Sequence, residues 1–145
     1  MQNINDKNGF YDIVISIKPI YVDLILDGEK KYEFRKHNFT KPIDKVLIYS
    51  TKPIGKIVGY FTVDKLIKNT PSKIWAKCHE FSGISERDFI EYFKGSKTAY
   101  AIQIKNVCKL LYPIFPNDVM KGFKAPRSFL YIDRKVNHEM FRNMV

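Results

Sequence analysis

The sequence predicts a mixed α/β (α+β) fold, in which a small β-barrel carries a few short helices. Most apolar runs have the short, β-branched character of strands, and helical periodicity is confined to three short segments. Those segments interrupt the strands without regular alternation, which favours a mixed barrel over a doubly wound sheet. The 145 residues suffice for one domain with its own core.

The N-terminal part of the chain predicts a strand followed by a short helix. Val14–Ile17 is rich in β-branched residues, as is typical of a buried strand. Pro19 suits the first turn of a helix, and apolar residues recur at helical spacing through Pro19–Asp27. Gly28 is a suitable residue just past the end of that helix. A charged strand is predicted to follow.

That charged segment, Gly28–Lys36, alternates aromatic residues with charges. In a strand, Tyr32 and Phe34 point to one face and the charged residues to the other. The charged face comprises Lys31, Glu33 and Arg35. We expect the aromatic face to join the core and the charged face to form a concentrated polar site. The alternative is a structural network of ion pairs on a solvated face.

The rest of the chain predicts four more strands and two inserted helices. The strands cover Val46–Tyr49, Ile57–Leu66, Ala99–Leu111 and Phe129–Ile132. Helix starts at Thr70–Ser72 and Ser85–Asp88 place the two helices between the second and third of these strands. Gly59, inside a long apolar run, predicts a bulge or a close approach of another backbone.

The chain is strongly basic, with 25 lysine and arginine residues, 15 acidic residues and a formal net charge of +10. Eight of the cations, but only Glu33 and Asp44 among the acidic residues, lie between Lys30 and Lys56. Such an excess favours a polyanionic partner. No basic amphipathic helix with an exposed apolar face is predicted, so RNA or a nucleotide is expected rather than a membrane.

The sequence favours a cytoplasmic protein without metal or cofactor. It contains no run of 18 apolar residues and no N-terminal signal sequence. The three histidines, Cys78 and Cys108 are not spaced like metal ligands, and two distant cysteines do not predict a disulfide framework. Neither a glycine-rich phosphate loop nor a nucleophile elbow is present, so most standard enzyme classes are unsupported.

The order Ser16–Pro19, Tyr21 and then Gly28-x-Lys30-x-x-Glu33-x-Arg35 resembles the ASCH domain family. The resemblance continues through Ile48–Pro53, Lys56–Phe61, Ala99–Ile104 and Ala125–Tyr131. It implies the PUA-like β-barrel fold, which is associated with RNA binding and modification. It covers about residues 11–133, and we expect residues 1–145 to form a single domain.

The resemblance also implies a basic ligand cleft between the first helix and the barrel. Candidate residues for binding RNA, a nucleotide or a nucleoside there are Lys18, Tyr21, Lys30, Glu33, Arg35, Ser50, Lys52 and Tyr100. In such a cleft Glu33 either fixes Lys30 and Arg35 or accepts a hydrogen bond from the exocyclic amine of a base. Tyr49 or Tyr100 is a candidate for stacking on a base.

Some ASCH-type proteins are amidohydrolases that deacetylate N4-acetylcytidine with a lysine, a threonine and a glutamate. Lys30 falls at the position of that lysine, Glu33 stands where the threonine is expected, and Asp64 is the nearest candidate for the glutamate. Other members are described as nucleases, for which Lys30 and Arg35 would stabilise charge on the phosphate. Our first hypothesis is therefore RNA or nucleotide binding, which includes recognition of a modified base. The alternatives are a hydrolase, either an amidohydrolase or a metal-independent ribonuclease, and a protein-interaction role.

Overall fold

The computed structural model describes residues 9–134, which form one six-stranded mixed sheet with three helices. The strands are β1 (Tyr11–Ile17), β2 (Tyr32–Arg35), β3 (Ile43–Ser50), β4 (Lys56–Asn69), β5 (Ala99–Ile114) and β6 (Phe129–Ile132). The helices are α1 (Pro19–Leu26), α2 (Pro71–Cys78) and α3 (Glu86–Phe93), and 3-10 turns cover His79–Phe81 and Pro116–Asp118. The two ends of the predicted domain, residues 1–8 and 135–145, lie outside the described residues.

The strand order is β2-β5-β4-β3-β1-β6, with β1 and β3 parallel and every other neighbouring pair antiparallel. The sheet curls into a half-barrel, so the mixed fold predicted from the sequence is confirmed. The strands β2 and β6 remain its two edges. We call the gap between these edges the seam.

Local sequence signals set the helix ends. Pro19 occupies the first turn of α1, and Gly28 follows the helix with a φ of +80°, which glycine adopts without strain. The side chain of Thr70 accepts a hydrogen bond from the Lys73 amide at the start of α2. Ser85 does the same for the Asp88 amide at the start of α3. These caps lie where the sequence predicted helix starts.

Three buried clusters hold the elements together. The first packs α1 on alternate residues of β1 and β3, such as Ile15 and Ile48. The second lies on the opposite face of those strands, where Leu47 packs with β6 and the segment after β5. The third joins Phe34 of β2 to α2 and α3, with the Phe89 ring 5.1 Å from the Phe34 ring. Both faces of β1 and β3 are therefore covered, which explains their nearly continuous apolar sequence.

Gly59 is a position at which other parts of the chain approach β4 closely. The register of β4 against both neighbouring strands shifts beside it. A Cβ atom placed on Gly59 would lie 2.6 Å from the carbonyl oxygen of Cys108 and 2.9 Å from Leu26 Cδ2. The sequence prediction of a bulge or close backbone approach at this glycine is confirmed.

Within residues 9–134, no helix has the length and apolar character that would let it cross a bilayer.

Candidate ligand-binding site at the seam

Arg35, the last residue of β2, reaches across the seam to the opposite edge of the half-barrel. Its Nη2 donates a hydrogen bond to the backbone oxygen of Ser16 on β1 at 2.9 Å. Its Nη1 donates to Ser128 Oγ, just before β6, at 3.4 Å. Only 9% of Arg35 is exposed. The sheet thus curls far enough for one side chain to connect β2 with β1 and the residue before β6.

Glu33 lies beside Arg35 and is also buried, with 8% exposed. Its Oε1 accepts a hydrogen bond from the Phe34 amide at 3.1 Å and lies 4.0 Å from Arg35 Nε. That separation makes an ion pair but is too long for a hydrogen bond. Neither Arg35 Nε nor the second carboxylate oxygen, Glu33 Oε2, has a hydrogen-bond partner in the described protein. Unpaired buried groups of this kind are costly and rare.

Lys30 is the most deeply buried charged residue of the site, with 2% exposed. Its Nζ donates a hydrogen bond to the backbone oxygen of Ser82 and lies 5.3 Å from the centre of the Tyr21 ring and 4.9 Å from that of Phe34. Burial lowers the pKa of Lys30, and the charge of Arg35 acts in the same direction, whereas Glu33 opposes the shift. We refer to Lys30, Glu33 and Arg35 as the seam cluster.

The loop between α2 and α3 closes over Lys30. Gly83 has a φ of +64°, and a Cβ atom on it would lie 2.7 Å from Lys30 Cβ. Only glycine allows the loop to approach so closely in this conformation. The Ser82 carbonyl is thereby brought to Lys30 Nζ.

Two tyrosines lie near the seam cluster and respond to its charges. Burial raises the pKa of Tyr21, and the carboxylates of Asp88 and Glu33 add to this. Burial also raises the pKa of Tyr92 on α3, while Arg35 lowers it and Glu33 raises it. The Tyr92 side chain remains 39% exposed. Its ring is therefore partly open to solvent, and the ring centre lies 4.8 Å from Lys36 Nζ.

Of the predicted site residues, the structure brings Tyr21, Lys30, Glu33 and Arg35 together. Lys18 is exposed, and its backbone rather than its side chain supports α1, because its carbonyl accepts from the Tyr21 amide at 2.9 Å. Tyr100 is half-buried and pairs with Arg35 across β5 and β2. Directly opposed residues share a face of the sheet, so Tyr100 lies on the face of the seam cluster.

The other predicted site residues, Ser50, Lys52 and Asp64, have no described contact with the seam cluster. Ser50 is buried at the end of β3, paired with Ile17. Lys52 is exposed in the turn between β3 and β4. Asp64 is exposed on β4, where its Oδ1 lies 3.9 Å from the Nζ of Lys105. None of these three has a described contact with Lys30.

Tyr49, considered from sequence as a base-stacking residue, belongs to the second buried cluster. Only 8% of it is exposed, and its ring centre lies 5.5 Å from that of Phe123. Its ring is therefore already packed against the protein.

The sequence did not single out four residues that shape the site: Ser16, Ser82, Tyr92 and Ser128. Ser16 and Ser128 lie inside the stretches that carry the family resemblance. That resemblance is the one feature of the sequence that could have pointed to them. Tyr92 lies at helical spacing from Phe89, and an aromatic residue at such a position normally faces the core. Ser82 contributes its backbone carbonyl, which side-chain patterns do not reveal.

Comparison with known proteins identifies the family and supports the fold. The ASCH domain family model matches residues 15–112. The chain belongs to the ASCH domain family. The crystal structure of ASCH from Zymomonas mobilis superposes with a TM-score of 0.86 at 20% identity, over 92% of this chain and 96% of that one. This likeness establishes the fold.

Two proteins whose sequences resemble this chain have unrelated names. An ASCH domain-containing ribonuclease of Zymomonas mobilis is 22% identical over 147 residues, which cover 97% of this chain and 95% of that protein. The ATP synthase subunit alpha of Ureaplasma parvum is 35% identical over 123 residues. That match covers 83% of this chain but only 15% of the Ureaplasma protein.

Proposed function

We propose that this ASCH domain protein binds RNA and that the seam cluster recognises one of its bases. The observation that carries the proposal is the pair of unpartnered buried atoms, Glu33 Oε2 and Arg35 Nε. One is a hydrogen-bond acceptor and the other a donor, and both belong to the same ion pair. A ligand that satisfies both must present a donor beside an acceptor.

The edge of a nucleobase has this arrangement. Cytosine offers its exocyclic amine as a donor next to its ring nitrogen as an acceptor, and acidic side chains are known to accept from that amine. Arg35 would donate to the ring nitrogen while Glu33 accepts from the amine. A single substituent on the amine leaves one N–H for Glu33 but adds bulk beside it, so this contact would distinguish a modified cytosine from an unmodified one by shape.

Access to these atoms requires a side chain to move, because both are covered in the free protein. Rotamer changes at binding surfaces are common even where the backbone stays fixed. Tyr92 is the side chain that we expect to move, because it is partly exposed and its ring centre lies 4.8 Å from Nζ of Lys36, the residue that follows Arg35.

Two further observations support RNA as the ligand. The formal net charge of +10 favours a polyanion. In addition, the Zymomonas relative that matches this chain over nearly its full length is named a ribonuclease.

The Glu33→Gln variant tests base recognition. The variant keeps the size of the side chain but removes its negative charge. It also replaces one of the two acceptor oxygens with a donor NH2 group. We expect the affinity for a short cytidine-containing RNA to fall by about tenfold, the usual value of one lost base contact. Fluorescence anisotropy with a labelled oligonucleotide measures this change.

Asp64→Asn is the matched control, because it makes the same chemical change on an exposed strand residue outside the seam cluster. Equal affinity in wild type and Glu33→Gln, with both folded by circular dichroism, would contradict base recognition by Glu33.

A hydrolase is the second candidate, favoured by the name of the Zymomonas relative and by a buried lysine of lowered pKa beside an arginine. RNA cleavage would appear as shorter fragments of the same labelled oligonucleotide, with and without a chelator. Deacetylation would appear as acetate released from N4-acetylcytidine. Turnover by the wild type that disappears in Lys30→Ala would replace the binding proposal with catalysis at the same cluster.

A further inference from the structure

A pocket of about 760 Å³ lies outside the seam cluster, none of whose three residues lines it. It is formed by the turn between β3 and β4 and by the segment that follows β5. The residues that matter for its chemistry are Tyr49, Lys52, Ile54, Lys56, Phe115 and Phe123. Its volume falls in the range of small-ligand sites.

The lining of the pocket combines cations with aromatic and apolar groups. Lys52 and Lys56 contribute two positive charges, and the described lining contains no carboxylate. Ile54 and Phe115 are large apolar residues that remain 47% and 46% exposed. Lysines suit a phosphate group, and exposed aromatic faces suit a stacked base. The chemistry is therefore that of a nucleotide site.

The pocket and the seam cluster are neighbours through two connections. Tyr49 of the pocket lies on β3 opposite Ser16 of β1, whose backbone oxygen accepts a hydrogen bond from Arg35, so the pocket and the seam cluster contact the same pair of neighbouring strands. The segment that contributes Phe123 to the pocket continues to Ser128, which also accepts from Arg35. On the way, the Pro126 oxygen accepts from Ser16 Oγ at 2.6 Å.

We propose that the pocket is a second nucleotide subsite, which binds the residue adjacent to the base held by the seam cluster. This inference rests on the proposed function and makes its ligand more specific: the preferred ligand is single-stranded RNA of at least two nucleotides. Lys52 and Lys56 bind the phosphate between the two nucleotides or the next one along. Phe115 and Ile54 provide the surface on which the second base packs.

The experiment compares a cytidine mononucleotide with a single-stranded octanucleotide on wild type and two variants. Lys56→Glu reverses the charge of an exposed lysine at the start of β4 inside the pocket, and Lys68→Glu makes the same change at an exposed position near the other end of β4. We expect Lys56→Glu to weaken octanucleotide binding by about tenfold and Lys68→Glu by about twofold. Of these two lysines, only Lys56 lies in the pocket and would contact the RNA directly. Mononucleotide affinity should change equally in both variants.

A further variant, Phe115→Ala, tests stacking without altering charge. We expect it to weaken octanucleotide binding about fivefold, a typical value for one lost base stack. Because Phe115 is half-exposed, this truncation also removes little packing.

The outcomes separate the two proposals. If the wild type binds both ligands but Lys56→Glu and Lys68→Glu weaken the octanucleotide equally and Phe115→Ala has no effect, the pocket subsite is wrong and base recognition at the seam stands. If the wild type binds neither ligand at low salt, the proposed function and the subsite are both wrong.

Discussion

At the scale of single residues, the burial of Lys30 makes stability depend on pH. Folding lowers its pKa below the usual value near 10.5, so the unfolded chain binds this proton more tightly than the folded protein does. Between the lowered pKa and 10.5, the free energy of unfolding should therefore rise with pH on account of this group. Below that window, Lys30 is charged in both states and the cost of burying its charge is constant. Above the window, Lys30 is neutral in both states and this cost has disappeared.

Lys30→Met isolates this contribution, because it removes the charge and keeps an unbranched side chain of similar length. We expect the variant to be relatively more stable than wild type at neutral pH than at pH 10.5, with the difference shrinking through the window. The raised pKa values of Tyr21 and Tyr92 have the opposite sign, since they make stability fall as pH rises above 10. Comparing the two proteins at each pH removes most of that shared effect.

Urea unfolding between pH 7 and pH 10.5 measures the effect, with Lys31→Met as the control because Lys31 is exposed. An unfolding free energy that differs between wild type and Lys30→Met by the same amount at every pH would mean that the Lys30 pKa is unshifted.

At the scale of elements, the fold depends on close approaches between neighbouring elements, of which Gly59 is the example. Gly59 lets β4 contact the backbone of β5 and Leu26 of α1 at once. Gly59→Ala would force these neighbours apart, and such overpacking costs about 1–3 kcal/mol. We expect a corresponding loss in the free energy of unfolding, measured by urea denaturation.

Lys68→Ala on the exposed end of β4 is the control, for which we expect a change within about 0.5 kcal/mol. Wild-type stability in Gly59→Ala would show that β5 and α1 can move away from this position at no cost.

At the scale of the whole molecule, the positive charge predicts how binding responds to salt. Each phosphate neutralised on a single strand contributes a slope of about −0.7 in log affinity against log salt. With the two lysines of the pocket each engaging a phosphate, the slope for the octanucleotide should approach about −1.4. Titrations between low and moderate salt measure it.

The mononucleotide should show a slope nearer about −0.7, since it carries one phosphate. A slope near zero for the octanucleotide would contradict an electrostatic RNA interface of any kind.

Aromatic rings of the protein contact some of the lysines that give the molecule its positive charge. Lys36 lies 4.8 Å from the Tyr92 ring centre and Lys41 lies 4.3 Å from that of Tyr11. Both lysines remain exposed, so these contacts restrict their positions without neutralising their charges. The long-range field that attracts a polyanion is therefore retained.

The sequence alone determined the elements and most of the seam cluster. Proline and glycine marked the ends of α1, Ser85 and Thr70 marked the starts of the later helices, and alternation marked β2, because each signal acts within a few residues of chain. The motif around Lys30 and Arg35 identified the charged residues themselves.

Only the tertiary structure decided the environment of those residues. Alternation placed Glu33 and Arg35 on a polar face, but the curling of the sheet buried them and brought Arg35 to Ser16 and Ser128, 19 and 93 residues away in the chain. It also left Lys52 in a neighbouring pocket and Asp64 on the surface beside Lys105. Burial and long-range pairing arise from how the strands are ordered, and local sequence patterns contain no information about partners so distant along the chain.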